Sequence, residues 1–439
     1  MKRQLLASVS ERVGERARVA GFIHTIRNQG SLVFIHLRDR SGIMQLIVEK
    51  SAHPDVWAQA KELTLESVVE VTGLVKAEKQ APGGFEIGVE ELTVLSTAEP
   101  ELPMPVNDKG DAEVSLKVRQ DWRWLDLRRA KTRLIFEVWT TFEQGIRDYL
   151  IEKRNFIQIH SPKLMSSPSE SKAELFEVKY FERVAYLAQS PQFYKQMAQA
   201  AGFEGIFEAG PVFRADPSFT SRHATEFTCY DVEFSYIDSH HDVMDLEAEM
   251  LAHAIERVAK KHGDQIKEMF DREVVVPKLP FPKLALLEAK KILAELKIPS
   301  EKPDDLSPEE ERAISEWAKK EHGHEFLFLI DYPITIRPFY HMRHADNPGL
   351  TKSFDLLWNG LEITTGAQRE HRHDVLIEQV KDKGFDPKGL KHYLDFFEYG
   401  CPPHGGFGAG GNRLIMQLLG LPNVREGIYL FRGVKRLTP

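Results

Sequence analysis

Residues 206–237, IFEAGPVFRADPSFTSRHATEFTCYDVEFSYI, place cations, an aromatic ring and carboxylates within one stretch. Two strand-like runs, 206–214 and 226–237, flank a polar loop with Asp216, Pro217 and Ser218, a pattern that predicts a long antiparallel hairpin. Strand side chains alternate between faces. Phe227, Cys229, Asp231, Glu233 and Ser235 therefore share one face, and Tyr230, Val232, Phe234 and Tyr236 share the other. The aromatic–aliphatic face belongs against a core. The polar face has Arg214 and Glu208 beside it on the first run, with Arg222 and His223 on the loop. Cations for phosphates, a ring to stack on a base and an acid for an ammonium group suit a nucleotide together with an amino acid. A solvated sheet face with ordinary salt bridges has the same composition, and the hairpin alone leaves both readings open.

Residues 354–365, FDLLWNGLEITT, predict a second hairpin around Asn359-Gly360. A two-residue turn pairs Leu357 with Glu362 and leaves Asp355 and Glu362 on one face, roughly 7–8 Å apart as diagonal neighbours. Converging carboxylates can share a divalent cation, and hard oxygen ligands beside phosphates favour Mg²⁺; such a pair can also simply be solvated. Arg369 comes directly after this hairpin. Residues 402–413, PPHGGFGAGGNR, hold five glycines in seven residues. They leave room for close approach of a flat ligand, and Arg413 opens an apolar helix whose dipole favours a phosphate. No GxxxxGK[ST] occurs, which excludes a P-loop enzyme. Two shorter segments complete the candidates. The polar loop 164–173 carries Glu170 in the manner of a lid, and Gln189-Ser190-Pro191-Gln192-Phe193-Tyr194-Lys195 opens a helix.

The elements that must position these groups indicate an α+β fold. Alternating runs at 17–26, 31–38, 43–49, 68–75 and 85–94, with a helix at 54–63 after the third, have the order of an OB-fold β-barrel, which commonly grips single-stranded nucleic acid. Phe34 and Gln45 lie on its second and third strands, with Arg27, Arg38 and Arg40 supplying charge. Residues 1–50 carry nine Lys/Arg against four Asp/Glu, in a chain of net charge −8. The expected domains are a barrel at 1–105, a polar hinge at 106–130 and a larger domain at 131–439. That domain begins with a helix, 131–153, whose Ile135, Val138, Trp139, Phe142, Ile146, Tyr149 and Leu150 form one apolar stripe. A short strand, 156–160, comes next and is stopped by Pro162. Another helix is expected at 243–261. Residues 262–330 read as an inserted helical segment without chemical signal.

Apolar content of 42% and charged content of 28% over 439 residues are those of a soluble globular protein. No apolar run approaches the ~20 residues of a membrane span, so no membrane partner is expected. The N-terminus lacks a signal-peptide core. Cys229 and Cys401 are the only cysteines, which excludes a disulfide framework or a Cys-rich zinc site and suits a reducing cytoplasm.

In their joint order, the helix–strand–Pro162 segment, the FRAD…RH…F hairpin and the glycine run ending in Arg413 resemble the three signature motifs of class II aminoacyl-tRNA synthetases. The N-terminal barrel resembles that of the Asp, Asn and Lys subclass. QSPQFYKQ, GAQREHRHD and the ending KRLTP are similar to the compact archaeal and eukaryotic aspartyl-tRNA synthetases, and the resemblance covers nearly the whole chain. It implies a six-stranded antiparallel catalytic sheet flanked by helices, a homodimer through the first motif, and ATP, Mg²⁺, L-aspartate and tRNA as substrates and partners. Under the resemblance, Arg214 and Arg413 are catalytic, Arg214 on the α-phosphate. His223 and Arg413 grip the far end of a bent ATP. Phe227 stacks on adenine, and Asp216, Arg222, Glu362 and Gly410 complete the nucleotide site. Asp355, Glu362 and Thr365 bind Mg²⁺; strict alternation puts Thr365 on the opposite face, so its role requires a bulge. Ser190, Gln192 and Asp231 take the substrate ammonium, with Glu170 closing over it, Lys195 and Arg369 pair with the side-chain carboxylate, and Arg214 and Thr365 complete the aspartate site.

On the barrel, the resemblance assigns the anticodon to Arg27, Phe34 and Gln45. His24, at the end of the first strand, and Pro82, in the loop before the last, stand where relatives that charge only tRNA(Asp) carry Trp and Lys. That is the pattern of relaxed relatives that also make Asp-tRNA(Asn), a product needing an amidotransferase partner. Three positions depart from the family. Asp216 and Asn412 stand where Glu is usual, and ESKAELF replaces a glycine-bearing lid. An asparaginyl-tRNA synthetase and a catalytically impaired tRNA-binding paralogue stay open as alternatives. A tRNA-independent asparagine-forming enzyme is disfavoured by the intact barrel.

Overall fold

The computed structural model describes residues 2–107, 114–167, 175–218 and 220–439. The chain forms two compact units, Met1–Arg129 and Ala130–Pro439.

In the first unit the period-two pattern closes into a barrel. β1 (Arg16–Gln29), β2 (Leu32–Asp39), β3 (Gly42–Glu49), β4 (Val68–Ala77) and β5 (Phe85–Ser96) take the spatial order β1-β2-β3-β5-β4, with helix α1 (Pro54–Lys61) between β3 and β4. Val19, Ile23, Val33, Ile35, Leu46, Val48, Val69 and Val71 fill the interior. β1 serves two sides of the barrel. Its first half, from Arg16 to Phe22, pairs with β4, and its second half, to Gln29, pairs with β2. The register shift between Ile23 and Thr25 is the bulge that turns the corner. His24, expected at the end of the first strand, sits inside it at that bulge.

The segment expected as a polar hinge forms two short helices, α2 (Leu116–Asp121), capped by the Ser115 side chain, and α3 (Arg123–Asp126). Asp126 is fully buried and gathers three arginines: Arg123, itself fully buried; Arg119, 2.9 Å away; and Arg129. A buried carboxylate survives only with such partners.

The second unit is organised by an eight-stranded sheet in the order β12-β13-β14-β15-β16-β11-β10-β6. In chain order its elements are α4 (Ala130–Asp148), β6 (Ile157–Gln158), β7 (Leu164–Met165), β8 (Glu177–Tyr180), β9 (Arg183–Leu187), α5 (Gln192–Ala200), β10 (Gly205–Phe213), β11 (Glu226–Ser235) and α6 (His240–Phe270). Then come β12 (Lys283–Ala285), α7 (Leu286–Glu295), α8 (Pro308–His322), β13 (Phe326–Ile330), β14 (Ser353–Trp358), β15 (Leu361–Gln368), α9 (His373–Asp382), α10 (Lys391–Glu398), β16 (His404–Gly410) and α11 (Gly411–Leu419). The six inner strands are antiparallel, as expected, and one further strand joins each edge in parallel, β6 on β10 and β12 on β13. The stripe of α4 and the buried side of α6 pack on the apolar face around Val138, Phe142, Val232, Leu251, Ile255 and Phe407.

Two expectations about the region after the hairpin change. The helix predicted for 243–261 runs 31 residues, opened by a capping box between Ser239 and Asp242. The segment expected at 262–330 is no separate helical insertion, because α6 continues through its start to Phe270 and β12 and β13 belong to the main sheet. β13, FLFLI, is buried on both faces and so shows no alternation. α7 and α8 cover it through Leu286, Leu293, Ile314 and Ala318, which pack with Leu327 and Leu329.

The glycines of β16 serve the sheet before any ligand. A Cβ at Gly406 would stand 2.0 Å from Val232 O and 2.4 Å from Glu233 Oε2. Gly406→Ala should therefore destabilise the second unit by ~3 kcal/mol, the upper end for an overpacked core. Guanidinium unfolding curves of the two proteins measure the difference.

Candidate active site

Where β11, β15 and β16 run side by side, their polar face floors a cavity of about 240 Å³. Phe227 and Cys229 of β11, Glu362 and Thr365 of β15, and Gly408 and Gly410 of β16 line it. Its rim is formed by Arg214, Asp216, Arg222 and His223 from the β10–β11 connection and by Arg413 from the first turn of α11. The structure thus brings together every nucleotide-site residue expected from the sequence. Arg214 sits over the Phe227 ring, Cζ 5.6 Å from the centroid. Arg413 donates to Glu362 O at 2.8 Å. His223 contacts Thr220 and Ser218, with Asp216 3.8 Å away. Burial and the nearby Arg413 depress His223 from its ordinary value. Arg222 donates to Glu311 of α8 at 3.0 Å.

The bulge that Thr365 requires is present. Leu357 pairs with Glu362, but Leu356 pairs with Thr364 and Asp355 with Thr365, leaving Ile363 as the extra residue. Glu362, Thr365 and Asp355 consequently share one face, and Thr365 Oγ1 donates to Glu362 Oε1 at 3.4 Å. Partial withdrawal from water and the charge of Asp355 raise Glu362 from its ordinary value, against Arg413 3.6 Å away. Asp355 is buried; Oδ2 accepts from Arg337 at 2.7 Å, and among the described residues Oδ1 has no hydrogen-bond partner. Two repelling carboxylates with an unsatisfied oxygen fit a hard cation. Among the described residues no three His, Cys, Asp or Glu side chains cluster to hold a metal unaided, so phosphate and water oxygens would complete its shell.

Deeper on the same face, four buried charges interlock. Lys195 Nζ lies 2.9 Å from Asp231 Oδ1 and 3.4 Å from Glu233 Oε2, and donates to Phe407 O at 3.1 Å. Arg369 gives Nε to Glu233 Oε1 at 3.0 Å, Nη2 to Gly406 O and Nη1 to His341 Nε2. Burial alone would raise Glu233, but Arg369 and Lys195 outweigh it and hold the carboxyl below its ordinary range. Burial alone would lower Lys195, and Asp231 and Glu233 overcome that too. Both remain charged. Sequence alternation placed Glu233 on this face without giving it a role. His341 and Arg337, from the irregular stretch after β13, carried no signal at all.

The remaining expected residues are spread over both units. Ser190 Oγ accepts from Gln192 N at 3.3 Å. Gln192 is buried and donates to Gln196, which in turn bonds His404 and Tyr393. Glu170 lies outside the described residues. Glu208 is taken up by Ser161 and Lys163 rather than by the cavity. Asn412 is buried and accepts from Thr228 N at 3.0 Å, pinning the start of α11 to β11. On the barrel surface Arg27 stands directly opposite Phe34, and Gln45, opposite His36, donates to Glu86 at 2.8 Å. Arg38 is committed to His24 and Glu66, and Pro82 opens the turn before β5.

Residues 115–432 match the family described as tRNA synthetases class II (D, K and N), and residues 17–95 match an OB-fold nucleic acid binding domain. The aspartate–tRNA(Asp/Asn) ligase of Aeropyrum pernix is 44% identical over 99% of this chain and 98% of its own. The aspartate–tRNA(Asp) ligase of Thermococcus kodakarensis is 39% identical over 97% of each. The crystal structure of asparaginyl-tRNA synthetase from Pyrococcus horikoshii complexed with asparaginyl-adenylate superposes with a TM-score of 0.92 at 32% identity, covering all of both chains.

His404 supplies a pH test of the buried network. Its Nδ1–H points at Pro402 O and its Nε2 accepts from Gln196, and burial pushes it down to about 4. The unfolded chain protonates this ring below about pH 6.5 while the folded chain does not. Stability should therefore fall as pH drops from ~6.5 and level off below ~4, with His404 contributing up to ~3 kcal/mol of the loss at 1.36 per unit. Unfolding measured at pH 7 and pH 4.5 should show a smaller loss in His404→Gln than in wild type.

Proposed function

The chain belongs to the class II aminoacyl-tRNA synthetases of the D, K and N group, and we propose that it ligates L-aspartate to tRNA(Asp), and also to tRNA(Asn), through an aspartyl-adenylate. The observation that carries the amino-acid assignment is the pair of buried cations, Lys195 and Arg369, on the floor beside the phosphate-binding rim. Two cations facing one side-chain carboxylate form charge-assisted bonds that a neutral amide cannot match, and the NH₂ of asparagine would meet donors head-on. The loosest of Lys195's contacts, 3.4 Å to Glu233, is the one a substrate carboxylate would replace. Asp231, Ser190 and Gln192 take the ammonium group, with Glu170 closing over it.

The first step needs no general base. The α-carboxylate of aspartate is already a nucleophile; its oxygen bonds to the α-phosphorus of ATP as the bond to the bridging oxygen breaks, and pyrophosphate leaves with that electron pair. Arg214 holds the α-phosphate and offsets charge at the transferring centre. Arg222, His223 and Arg413 hold the far phosphates, Phe227 stacks on adenine, and Asp216 and Gly410 border the purine. Catalysis is in-line placement and charge neutralisation. Asp355, Glu362 and Thr365 would hold Mg²⁺, whose chemistry is to neutralise the polyphosphate as it departs. A hydroxyl oxygen at the 3′ end of the tRNA then bonds to the acyl carbon as the bond to the phosphate oxygen breaks; AMP leaves with that electron pair, and the hydroxyl proton passes to a phosphate oxygen. The reading includes a homodimer through α4 and a cytoplasmic setting.

Aspartate-dependent ATP–pyrophosphate exchange tests the assignment. Wild type should respond to aspartate, and Lys195→Leu should lose at least a hundredfold in kcat/KM for aspartate while its ATP affinity stays within about twofold. Exchange with asparagine instead would make this an asparaginyl enzyme, and absence of exchange a tRNA-binding paralogue.

Phe34 and Gln45 suit a splayed central anticodon base, which tRNA(Asp) and tRNA(Asn) share. Discrimination then rests on the neighbouring positions, and His24 and Pro82 supply neither the Trp nor the Lys of discriminating relatives. Asp-tRNA(Asn) made this way requires an amidotransferase partner. Charging purified tRNA(Asp) and tRNA(Asn) side by side should give rates within a hundredfold, ~2.7 kcal/mol; a larger preference for tRNA(Asp) refutes relaxed specificity.

A further inference from the structure

We propose that Glu311 is a positioning residue for ATP, holding the Arg222 guanidinium at the cavity rim so that its remaining N–H groups face the polyphosphate. The inference rests on the nucleotide reading of the cavity and assigns a role to a helix that carried no signal in the sequence. Glu311 Oε2 accepts from Arg222 Nη1 at 3.0 Å, with side-chain exposures of 13% and 21%. Arg222 lines the cavity and Glu311 stands behind it. A guanidinium has five donors in a rigid fork. One is committed to Glu311, and the orientation of the others is fixed by it.

Both ends of this arrangement are anchored. The backbone around Arg222 is tied to the C-terminal segment by Val424 N donating to Ser221 O at 2.8 Å and Thr225 N donating to Arg432 O at 3.1 Å. Helix α8 is fixed at its start by the Ser307–Glu310 capping box and by Lys290 on Glu310 at 2.7 Å. It is also docked on the β14–β15 turn so closely that a Cβ on Gly360 would stand 2.8 Å from Arg312 Cα. Glu311 is thereby locked to the hairpin that carries Glu362. Its placement is unfavourable for a group serving stability alone, since burial and the like charge of Glu362 push it up to about 7 in spite of Arg222. Held in advance, Arg222 loses little freedom when the phosphates arrive.

The test is the ATP affinity of the full-length protein, by calorimetry and by KM in aspartate-dependent exchange. Glu311→Ala should raise both the Kd and the KM for ATP about tenfold, with kcat and the KM for aspartate within twofold of wild type. Glu311→Gln, whose amide oxygen still accepts from Arg222, should fall between. Arg222→Ala/Glu311→Ala should be no weaker than Arg222→Ala, because Glu311 acts only through that side chain. ATP affinity unchanged in both Glu311 variants, equal losses for ATP and aspartate, or a double-variant loss equal to the product of the single ones would each overturn the proposal. A wild-type protein that binds no ATP would instead overturn the nucleotide reading beneath it.

Discussion

The buried quartet of Lys195, Asp231, Glu233 and Arg369 constrains everything around it. Each of these charges would be costly in the sheet interior alone, and removing one member leaves its partners uncompensated. Their tolerance depends on backbone as much as on each other: Phe407 O and Gly406 O accept the donors that the carboxylates leave over. Those carbonyls come within reach because β16 lacks side chains where β11 presses against it. The glycine run, the register of three strands and the charge balance of the floor are therefore one requirement. With two cations and two carboxylates the quartet is neutral overall, so under the proposed function an entering carboxylate would displace its weakest internal contact rather than fill a bare positive hole.

Much of this was legible in the sequence wherever a strand has one polar and one apolar face. The alternation in 226–237 sorted Phe227, Asp231 and Glu233 from Tyr230 and Val232 correctly, and Asn359-Gly360 fixed the second hairpin. Legibility failed where both faces are buried, as in FLFLI, and where the chain is irregular, as around Arg337 and His341. It failed as well where a role depends on distant elements meeting. Nothing near Glu311 in the chain announces Arg222, which is 89 residues away. The glycines were misread in emphasis, since Gly405 and Gly406 are needed by protein atoms and only Gly408 and Gly410 line the cavity.

The departures from the family pattern acquire physical content in the same way. Asn412 lines the cavity, and its carbonyl oxygen fastens the first turn of α11 to Thr228 and so sets where Arg413 begins. Asp216 turns back on its own loop, accepting from Ser218 N at 2.9 Å beside His223. Both side chains also line the cavity, so each combines a bond to its own surroundings with a place on the cavity wall.

The extra residue at Ile363 has a consequence for how the site can vary. Orientation along a strand is a parity, even or odd, and β15 inherits two of them. The turn at Asn359-Gly360 sets the parity of Glu362, whereas pairing with β16 sets that of the stretch from Thr365 through Gln368 to Arg369. The bulge is the seam between the two conventions. Lengthening or shortening the turn would rotate Glu362 while leaving Arg369 untouched, so the two ends of one strand are free to drift independently.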